Sequence, residues 1–287
     1  MKTCVSSYSF GGYISEDNLG VLGLIDKAAE FGFDGIEFVD TGVLFEGDMP
    51  ERIRERAAEK GIAVPAFATG ADFVNGSNGD LKDEIKRVCE TVKRASRLGI
   101  TVLRHDAANA YRDGRKHSRS YDYALPRIAE GCREVTKFAE QLGIRTCTEN
   151  HGWFSQDAER VEKLVNAVAH DNFGSLVDCG NFMCADEDPT ISVGKMAPYA
   201  FHVHVKDFHY KSGMDVNPGN GWFQTRAGNY IRGAIIGHGE AKVFQSIRTL
   251  KQNGYDGYLS IEFEGMEDRL VGIRLGLENL KRFIEMA

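Results

Sequence analysis

AAEFGFDGIEF, residues 28–38, joins the end of an amphipathic helix, a glycine and a short apolar run, and this unit returns along the chain. A glycine directly after a helical pattern predicts a helix end in the left-handed conformation. The apolar run behind it predicts a buried parallel strand. The other copies are AAEKGIAVPAF (57–67), ASRLGITVLRH (95–105), AEQLGIRTCTE (139–149) and LKQNGYDGYLSIEF (250–263).

The spacing of these units predicts a closed barrel. Their glycines, Gly32, Gly61, Gly99, Gly143 and Gly254, are separated by 29, 38, 44 and 111 residues. The last gap equals about three units of roughly 37 residues, which fits one βα repeat, so two more strands are expected inside it. FGSLVD (173–178) and YAFHVHV (199–205) supply these strands, and CVSSYSF (4–10) makes eight.

Helical patterns separate the predicted strands, most clearly at 79–98, 121–142, 155–170, 240–253 and 268–285. We therefore predict an α/β fold, a single (β/α)8 TIM barrel over residues 1–287. A doubly wound open sheet is the competing architecture, and the count of eight favours the barrel.

Composition excludes several classes of protein. The chain has 287 residues, 42% hydrophobic and 27% charged, with a net charge of -7 and no basic cluster, which disfavours a nucleic-acid partner. No apolar run approaches the roughly 20 residues needed to cross a bilayer, and the N-terminus lacks a secretory pattern. The cysteines form no CxxC pair, which indicates reduced thiols in the cytoplasm.

One connection is unusually long. Residues 207–239, after the seventh strand, match neither helix nor strand and contain NPGNGWFQTRAGNYIRG (217–233). Loops of this length in compact domains are usually functional or disordered. The aromatic and branched side chains argue against disorder, so we expect a lid or an oligomer contact.

Side chains able to bind a metal end four neighbouring predicted strands, the fifth to the eighth: Glu149, Asp178, His204 and Glu262. Residues at the C-terminal strand ends of such a barrel face the ligand. Any one of them alone could be a capped or paired acid. Three carboxylates together would repel one another without a cation. The set therefore predicts one divalent ion, Mn²⁺ first and Mg²⁺ or Co²⁺ otherwise.

Four further residues near these strand ends are predicted to contact substrate: His151, Lys206, His105 and Glu264. Each has an ordinary alternative, and for His151 it is to support Glu149 from behind. Lys206 could instead pair with Asp207 or a rim acid, and Glu264 could pair with Arg269. His105 could close a hydrogen-bond network at the barrel rim.

A second group has weaker signals. Glu37 also ends a strand and could line the pocket or join a rim network, whereas His202 lies one layer below His204 and is expected to be a hydrogen-bonded core histidine. Trp153 could stack on a sugar or anchor a loop. Arg226 and Arg232 could bind a phosphate, but no glycine-rich cradle accompanies them, so a phosphorylated substrate is not supported.

The strand-end motifs resemble the xylose isomerase-like barrel superfamily of sugar and sugar-phosphate isomerases and epimerases. The resemblance covers nearly the whole chain and rests on DGIEF (34–38), TENHG (148–152), LVDCGN (176–181), HVHVKD (202–207) and GYDGYLSIEFEG (254–265). In the ketose 3-epimerases of this superfamily, an acid–Asp–His–acid set binds one metal, and it corresponds to the four residues named above. The family often has a histidine where this chain has Asn181, which argues against the branch of AP endonucleases.

The resemblance implies a metal-dependent sugar isomerase or epimerase. Glu149 or Glu262 would remove the proton next to the carbonyl of a ketose, and the other acid would return a proton to the metal-stabilised enediolate. The alternative is a lyase or dehydratase acting on an inosose or a 3-keto-glycoside, as in C-glycoside deglycosidases. An AP endonuclease and a non-catalytic sugar-binding subunit are weaker rivals. The expected partners are a small-molecule sugar and further subunits, in a homo-oligomer (dimer or tetramer) or a hetero-oligomer.

Overall fold

The computed structural model describes residues 1–111 and 120–287 and contains a closed barrel of eight parallel strands. The barrel strands are β1 (Lys2–Ser6), β2 (Gly35–Val39), β3 (Ala66–Thr69), β4 (Val102–His105), β5 (Arg145–Glu149), β6 (Phe173–Asp178), β7 (Ala200–Val205) and β11 (Tyr258–Ile261). Three further strands, β8 (Asp207–Lys211), β9 (Phe223–Gln224) and β10 (Tyr230–Ala234), lie outside the barrel. The barrel order is β1-β11-β7-β6-β5-β4-β3-β2, and β2 pairs again with β1. The predicted TIM-barrel fold class is confirmed.

Helices lie between the barrel strands and pack around them. They are α1 (Gly20–Phe31), α2 (Met49–Lys60), α3 (Leu81–Ser96), α4 (Tyr121–Glu140), α5 (Ala158–Val168), α6 (Asn181–Cys184), α7 (Pro189–Met196), α8 (Val243–Gln252) and α9 (Arg269–Met286). Gly32 and Gly61 end α1 and α2 with φ of 86° and 69°, which a residue with a Cβ adopts only at a cost. Within residues 1–111 and 120–287, no helix has the length and apolar character to cross a bilayer.

The barrel interior changes from apolar to charged along the strand direction. A small apolar cluster is formed by Ala66, Val102, Cys147 and Leu176. In β4, β5 and β6, the residue two positions after the member of this cluster is charged: Arg104, Glu149 and Asp178. Because side chains on a strand repeat their direction every second residue, these charged groups point into the same space. The strand period therefore places a charged layer at the C-terminal mouth.

Two expectations about secondary structure were wrong. The first strand ends at Ser6, and a 3₁₀ helix at Ser7–Ile14 replaces its predicted second half. The segment 207–239, predicted to be without regular structure, contains a three-stranded antiparallel sheet in the order β8-β10-β9. Its strands have only two to five residues, so their pairing depends on contacts that a local pattern does not show. We call residues 207–239 the inserted sheet.

Asp207 ties the inserted sheet to the end of β7. Its carboxylate is buried and accepts four backbone N–H groups: those of Phe208 at 2.9 Å, Gly237 at 2.8 Å, Gly239 at 2.9 Å and Ala241 at 3.0 Å. Hydrogen bonds to a buried charge are among the stronger ones in proteins. Asp207 therefore fixes both ends of the inserted sheet beside the mouth of the barrel.

We expect Asp207→Ala to lower the free energy of unfolding by about 3 kcal/mol or more, because it leaves several buried N–H groups without an acceptor. Urea denaturation followed by circular dichroism measures this change. Asp215→Ala, at an exposed position of the same insertion, is the matched control and should change stability by less than about 0.5 kcal/mol. Equal stability of the two variants would contradict the anchoring role of Asp207.

Candidate active site

The four residues that the sequence proposes as metal ligands converge at the barrel mouth. Glu149 ends β5, Asp178 ends β6, His204 lies in β7 and Glu262 follows β11, and these strands are neighbours in the barrel. One ligand atom from each lies within 4.8 Å of the others. From Nδ1 of His204, the nearest carboxylate oxygens of Glu149, Glu262 and Asp178 are 3.4, 3.5 and 3.9 Å away. The geometry forms one compact, buried set of oxygen and nitrogen donors.

Among residues 1–111 and 120–287, two buried donor atoms of this set have no hydrogen-bond partner. They are Oδ2 of Asp178 and Nδ1 of His204. The other oxygen of Asp178 accepts the backbone N–H groups of Gly180 at 2.7 Å and Asn181 at 2.9 Å, which orients Oδ2 toward the cluster. Buried polar atoms in proteins are almost always satisfied. Unsatisfied oxygen and nitrogen atoms that face one another therefore fit a bound cation.

The second ring nitrogen of His204 is held from below by Glu37. Nε2 of His204 lies 2.5 Å from Oε1 of Glu37, and Oε2 of Glu37 is hydrogen-bonded to Nε2 of His202. These three residues also lie close enough together to be considered as ligands. A cation about 2.1 Å from both atoms would meet them at an acute angle, so a shared proton fits this contact better. Glu37 thus orients His204 and leaves Nδ1 for the cluster.

The charges of the cluster are strongly coupled. Burial, together with the negative charges of Glu149 and Glu262, raises the pKa of Asp178 to about 7 against the opposing charge of Lys206. For Glu262, Lys206 and His204 outweigh burial and lower the pKa to about 2. For Glu149, Arg104 and His204 also outweigh burial and hold the pKa well below its usual range. Without a cation, one of the three acids is thus partly protonated near neutral pH.

Arg104 is a site residue that the sequence analysis missed. Its guanidinium is buried, lies 2.5 Å from Oε2 of Glu149 and 2.7 Å from Asp106, and lines the pocket. His105, predicted to contact substrate, does not reach the pocket. It is fully buried between Phe73 and Phe173 on the other face of β4, and burial lowers its pKa to about 4. The prediction for His105 is therefore corrected, and Arg104 is the inward-facing residue of this strand.

Asn181 and Lys206 connect the acids of the cluster. Asn181 donates from Nδ2 to Glu149 at 3.0 Å and accepts from the Lys206 ammonium at 3.2 Å. The ammonium is 2.6 Å from Glu262 and 3.4 Å from Asp178. Lys206 thus forms its ion pairs with Glu262 and Asp178, two acids of the cluster, and not with Asp207. Lys206 also lines the pocket, so its ammonium can contact either these acids or a substrate.

His151 and Glu264 lie at the pocket, where the sequence analysis expects them. His151 is half exposed, and Nδ1 of its ring lies 3.0 Å from Asp106. Glu264 accepts a hydrogen bond from the Tyr8 hydroxyl at 3.0 Å. The proposed pairing of Glu264 with Arg269 is wrong, since Arg269 donates to the carbonyl oxygens of Ser9 and Phe263.

The arginines of the inserted sheet have protein partners. Arg226 donates to Asp157 at 2.9 Å and to the carbonyl oxygen of Trp153 at 2.6 Å, and it lies over the Trp153 ring at 4.9 Å. Arg232 lies over the ring of Trp222 and near Glu267. Both guanidinium groups thus contact other groups of the protein, and the phosphate-binding alternative gains no support from these contacts.

A cavity of about 550 Å³ opens above the cluster. Glu149, His204, Lys206 and Glu262 form its floor, and all four are buried. Residues 223–226 of the inserted sheet line its rim. The lid alternative for this segment therefore has a structural basis.

Comparisons with known proteins agree with this architecture. The family model described as xylose isomerase-like TIM barrel matches residues 25–283. The D-psicose 3-epimerase of Clostridium cellulolyticum H10, solved with D-tagatose, superposes with a TM-score of 0.76 at 16% identity over 99% of both chains. At this low identity the likeness shows a shared fold.

Curated relatives include dehydratases. The inosose dehydratase of Clostridium perfringens is 26% identical over 140 residues, which is 48% of this chain and 46% of that protein. The 3-dehydroshikimate dehydratase of Pseudomonas putida is 22% identical over 267 residues, which is 91% of this chain and 38% of that protein. The chain thus spans less than half the length of both relatives.

Metal uptake should release protons and strengthen as pH rises. The raised pKa values of Asp178, about 7, and of His204 mean that both groups carry protons in the metal-free protein below neutrality, and a cation must displace them. We expect the affinity for Mn²⁺ to fall by about tenfold or more for each pH unit between pH 7 and 6. Calorimetry in two buffers of different ionisation enthalpy measures the protons released. An affinity that does not change over this range would contradict the coupling.

Removing the negative charge below His204 should weaken metal binding. We expect Glu37→Gln to lower the affinity for Mn²⁺ by about 10- to 100-fold, because the imidazole loses the carboxylate that orients it. Competition with a fluorescent chelator measures the affinity. Glu84→Gln changes another buried glutamate, one paired with Arg87 on α3, and should leave metal affinity unchanged. Wild-type affinity in Glu37→Gln would show that Glu37 does not support the site.

Proposed function

Because the chain belongs to the xylose isomerase-like TIM barrel family, we propose that it is a sugar isomerase or epimerase. It would remove the proton next to the carbonyl of a ketose or keto-sugar and then return a proton to the substrate. One observation carries the proposal. The ionised carboxylates of Glu149 and Glu262 come from different strands and flank the same nitrogen of His204 at the floor of the pocket. Two acids on either side of one site suit a reaction that takes a proton from one face and returns it to another.

The donor set of Glu149, Asp178, His204 and Glu262 would hold one divalent cation, Mn²⁺ first and Mg²⁺ or Co²⁺ otherwise. When bound, the cation supplies a positive charge that polarises the carbonyl and lowers the pKa of the adjacent C–H. Asp178 is held by two backbone N–H groups and cannot easily turn toward the substrate. This leaves Glu149 and Glu262 as the acids for proton transfer.

Neighbouring residues would divide the remaining tasks. Arg104 pairs with Oε2 of Glu149, which leaves Oε1 on the side of His204. Lys206 and His151 line the pocket and can donate hydrogen bonds to substrate oxygens, with Asp106 fixing the ring of His151. Glu264 can accept a hydrogen bond from a substrate hydroxyl at the rim. The small-molecule substrate, the homo-oligomeric assembly and the cytoplasmic location remain predictions.

A dehydratase is the second candidate, and the names of the curated relatives favour it. The same proton abstraction leads to loss of a hydroxyl from the neighbouring carbon if a proton reaches the leaving oxygen. Lys206, which is 2.6 Å from Glu262, is placed to supply that proton. Water would then be the second product, from an inosose or another cyclic hydroxyketone.

Deuterium exchange tests the shared first step. The Mn²⁺-loaded protein is incubated in heavy water with free ketoses, inososes and 3-keto-glycosides, and each recovered compound is analysed by mass spectrometry. We expect one substrate class to gain deuterium on the carbon beside the carbonyl. Glu149→Gln and Glu262→Gln should each lower this rate by about 100-fold or more.

Controls separate loss of the base from loss of the metal. Metal content is measured in each variant, and Glu240→Gln, at an exposed position outside the pocket, should exchange at the wild-type rate. An epimer or isomer among the products supports the first candidate, and loss of water supports the second. No exchange in any compound, with metal bound, would contradict proton abstraction by this site.

A further inference from the structure

Three large aromatic side chains stand half exposed around the pocket opening. Tyr8, Trp153 and Phe223 are 44%, 48% and 43% exposed and all line the cavity. We call them the rim aromatics. Exposed aromatic surface grouped at one concave site is typical of ligand binding, because a single protein gains nothing from leaving it in water. The rim therefore carries aromatic surface beside polar groups such as His151 and Glu264, whereas the floor is charged.

Each of the rim aromatics is held in place by other groups. The Arg226 guanidinium lies over Trp153 and also donates to its carbonyl oxygen. Phe223 packs edge to face on the buried ring of Phe208, with centroids 5.7 Å apart. The Tyr8 hydroxyl is bonded to Glu264. Rings fixed before binding lose little conformational freedom when a ligand covers them.

The cavity is larger than a single sugar bound at its floor requires. About 550 Å³ lies in the range of pockets that enclose drug-sized ligands, and one sugar ring is much smaller than such ligands. The inserted sheet supplies Phe223 to the cavity wall, together with Gln224, Thr225 and Arg226. The cavity thus combines a charged floor that suits a polyol with aromatic surface at its rim.

We propose that the substrate is a keto-sugar that carries a flat, apolar substituent, and that the rim aromatics bind this substituent. That the substrate is a keto-sugar rests on the proposed function, whereas its apolar substituent is inferred from the rim aromatics alone. Aromatic residues also stack on sugar faces. A sugar held through its oxygens at the floor would leave Trp153 and Phe223 uncovered, and a planar group attached to it would cover them.

Paired ligands test the proposal without turnover. Methyl and phenyl glycosides of the same pyranoses, in gluco, galacto and manno forms, lack the ketone and cannot be deprotonated by the route above. Calorimetry with the Mg²⁺-loaded protein measures their binding. We expect at least one phenyl glycoside to bind roughly tenfold or more tightly than its methyl counterpart, since burying a phenyl ring removes a large apolar area from water.

Variants assign the preference to the rim. Trp153→Ala and Phe223→Ala should each reduce the phenyl-to-methyl affinity ratio by roughly two- to tenfold, whereas Trp153→Phe, which keeps a ring, should retain most of it. Tyr210→Ala removes an equally exposed aromatic, 47%, from the same inserted sheet but outside this pocket, and should keep the wild-type ratio. Thermal unfolding verifies that each variant is folded.

The outcomes separate this proposal from the proposed function. A ratio near one for every pair, or no binding of any phenyl glycoside, overturns the aromatic subsite even if ketoses exchange deuterium. A preference for phenyl glycosides that depends on Trp153 and Phe223 supports the subsite even if no exchange occurs. In that case only the proposed proton abstraction would be contradicted. Burial of the rim in contact with a second copy of the chain would remove the preference and overturn the proposal.

Discussion

Repulsion among three buried carboxylates is the constraint around which the barrel mouth is built. Glu149, Asp178 and Glu262 lie close together out of water, and like charges in such a place raise the free energy of the folded state unless positive charge offsets them. Lys206 and Arg104 supply part of that charge. Burial and the neighbouring acids nevertheless raise the pKa of Asp178 to about 7. A divalent cation among the acids would complete the balance.

Supporting residues and candidate catalytic residues lie at different levels along the barrel strands. An apolar cluster seals the interior, Glu37 and His202 hold the imidazole of His204 from below, and the acids stand above it. The next residues outward, Lys206 and then Asp207, differ in role because their side chains alternate in direction. Lys206 points into the pocket, whereas Asp207 binds the inserted sheet that carries part of the rim. A single strand end thus connects the charged floor to the apolar rim.

Much of this arrangement could be predicted from the sequence. The repeated glycines predict the helix ends. The acids at neighbouring strand ends must lie close together if the barrel closes. Arg104 could not be distinguished from His105, because β4 is buried on both faces and its period of two does not tell which face is inside. The sheet in residues 207–239 was missed because its short strands are paired by nonlocal contacts. The partners of Lys206 depend on side-chain reach, which spacing does not encode.

A crystal of Mn²⁺-loaded protein, measured at a wavelength where manganese scatters anomalously, tests the central claim most directly. We expect one strong anomalous peak about 2.1 Å from oxygens of Glu149, Asp178 and Glu262 and from Nδ1 of His204. We also expect Nε2 of His204 to stay on Glu37. Absence of a peak, with the three carboxylates turned apart and surrounded by water, would contradict that claim.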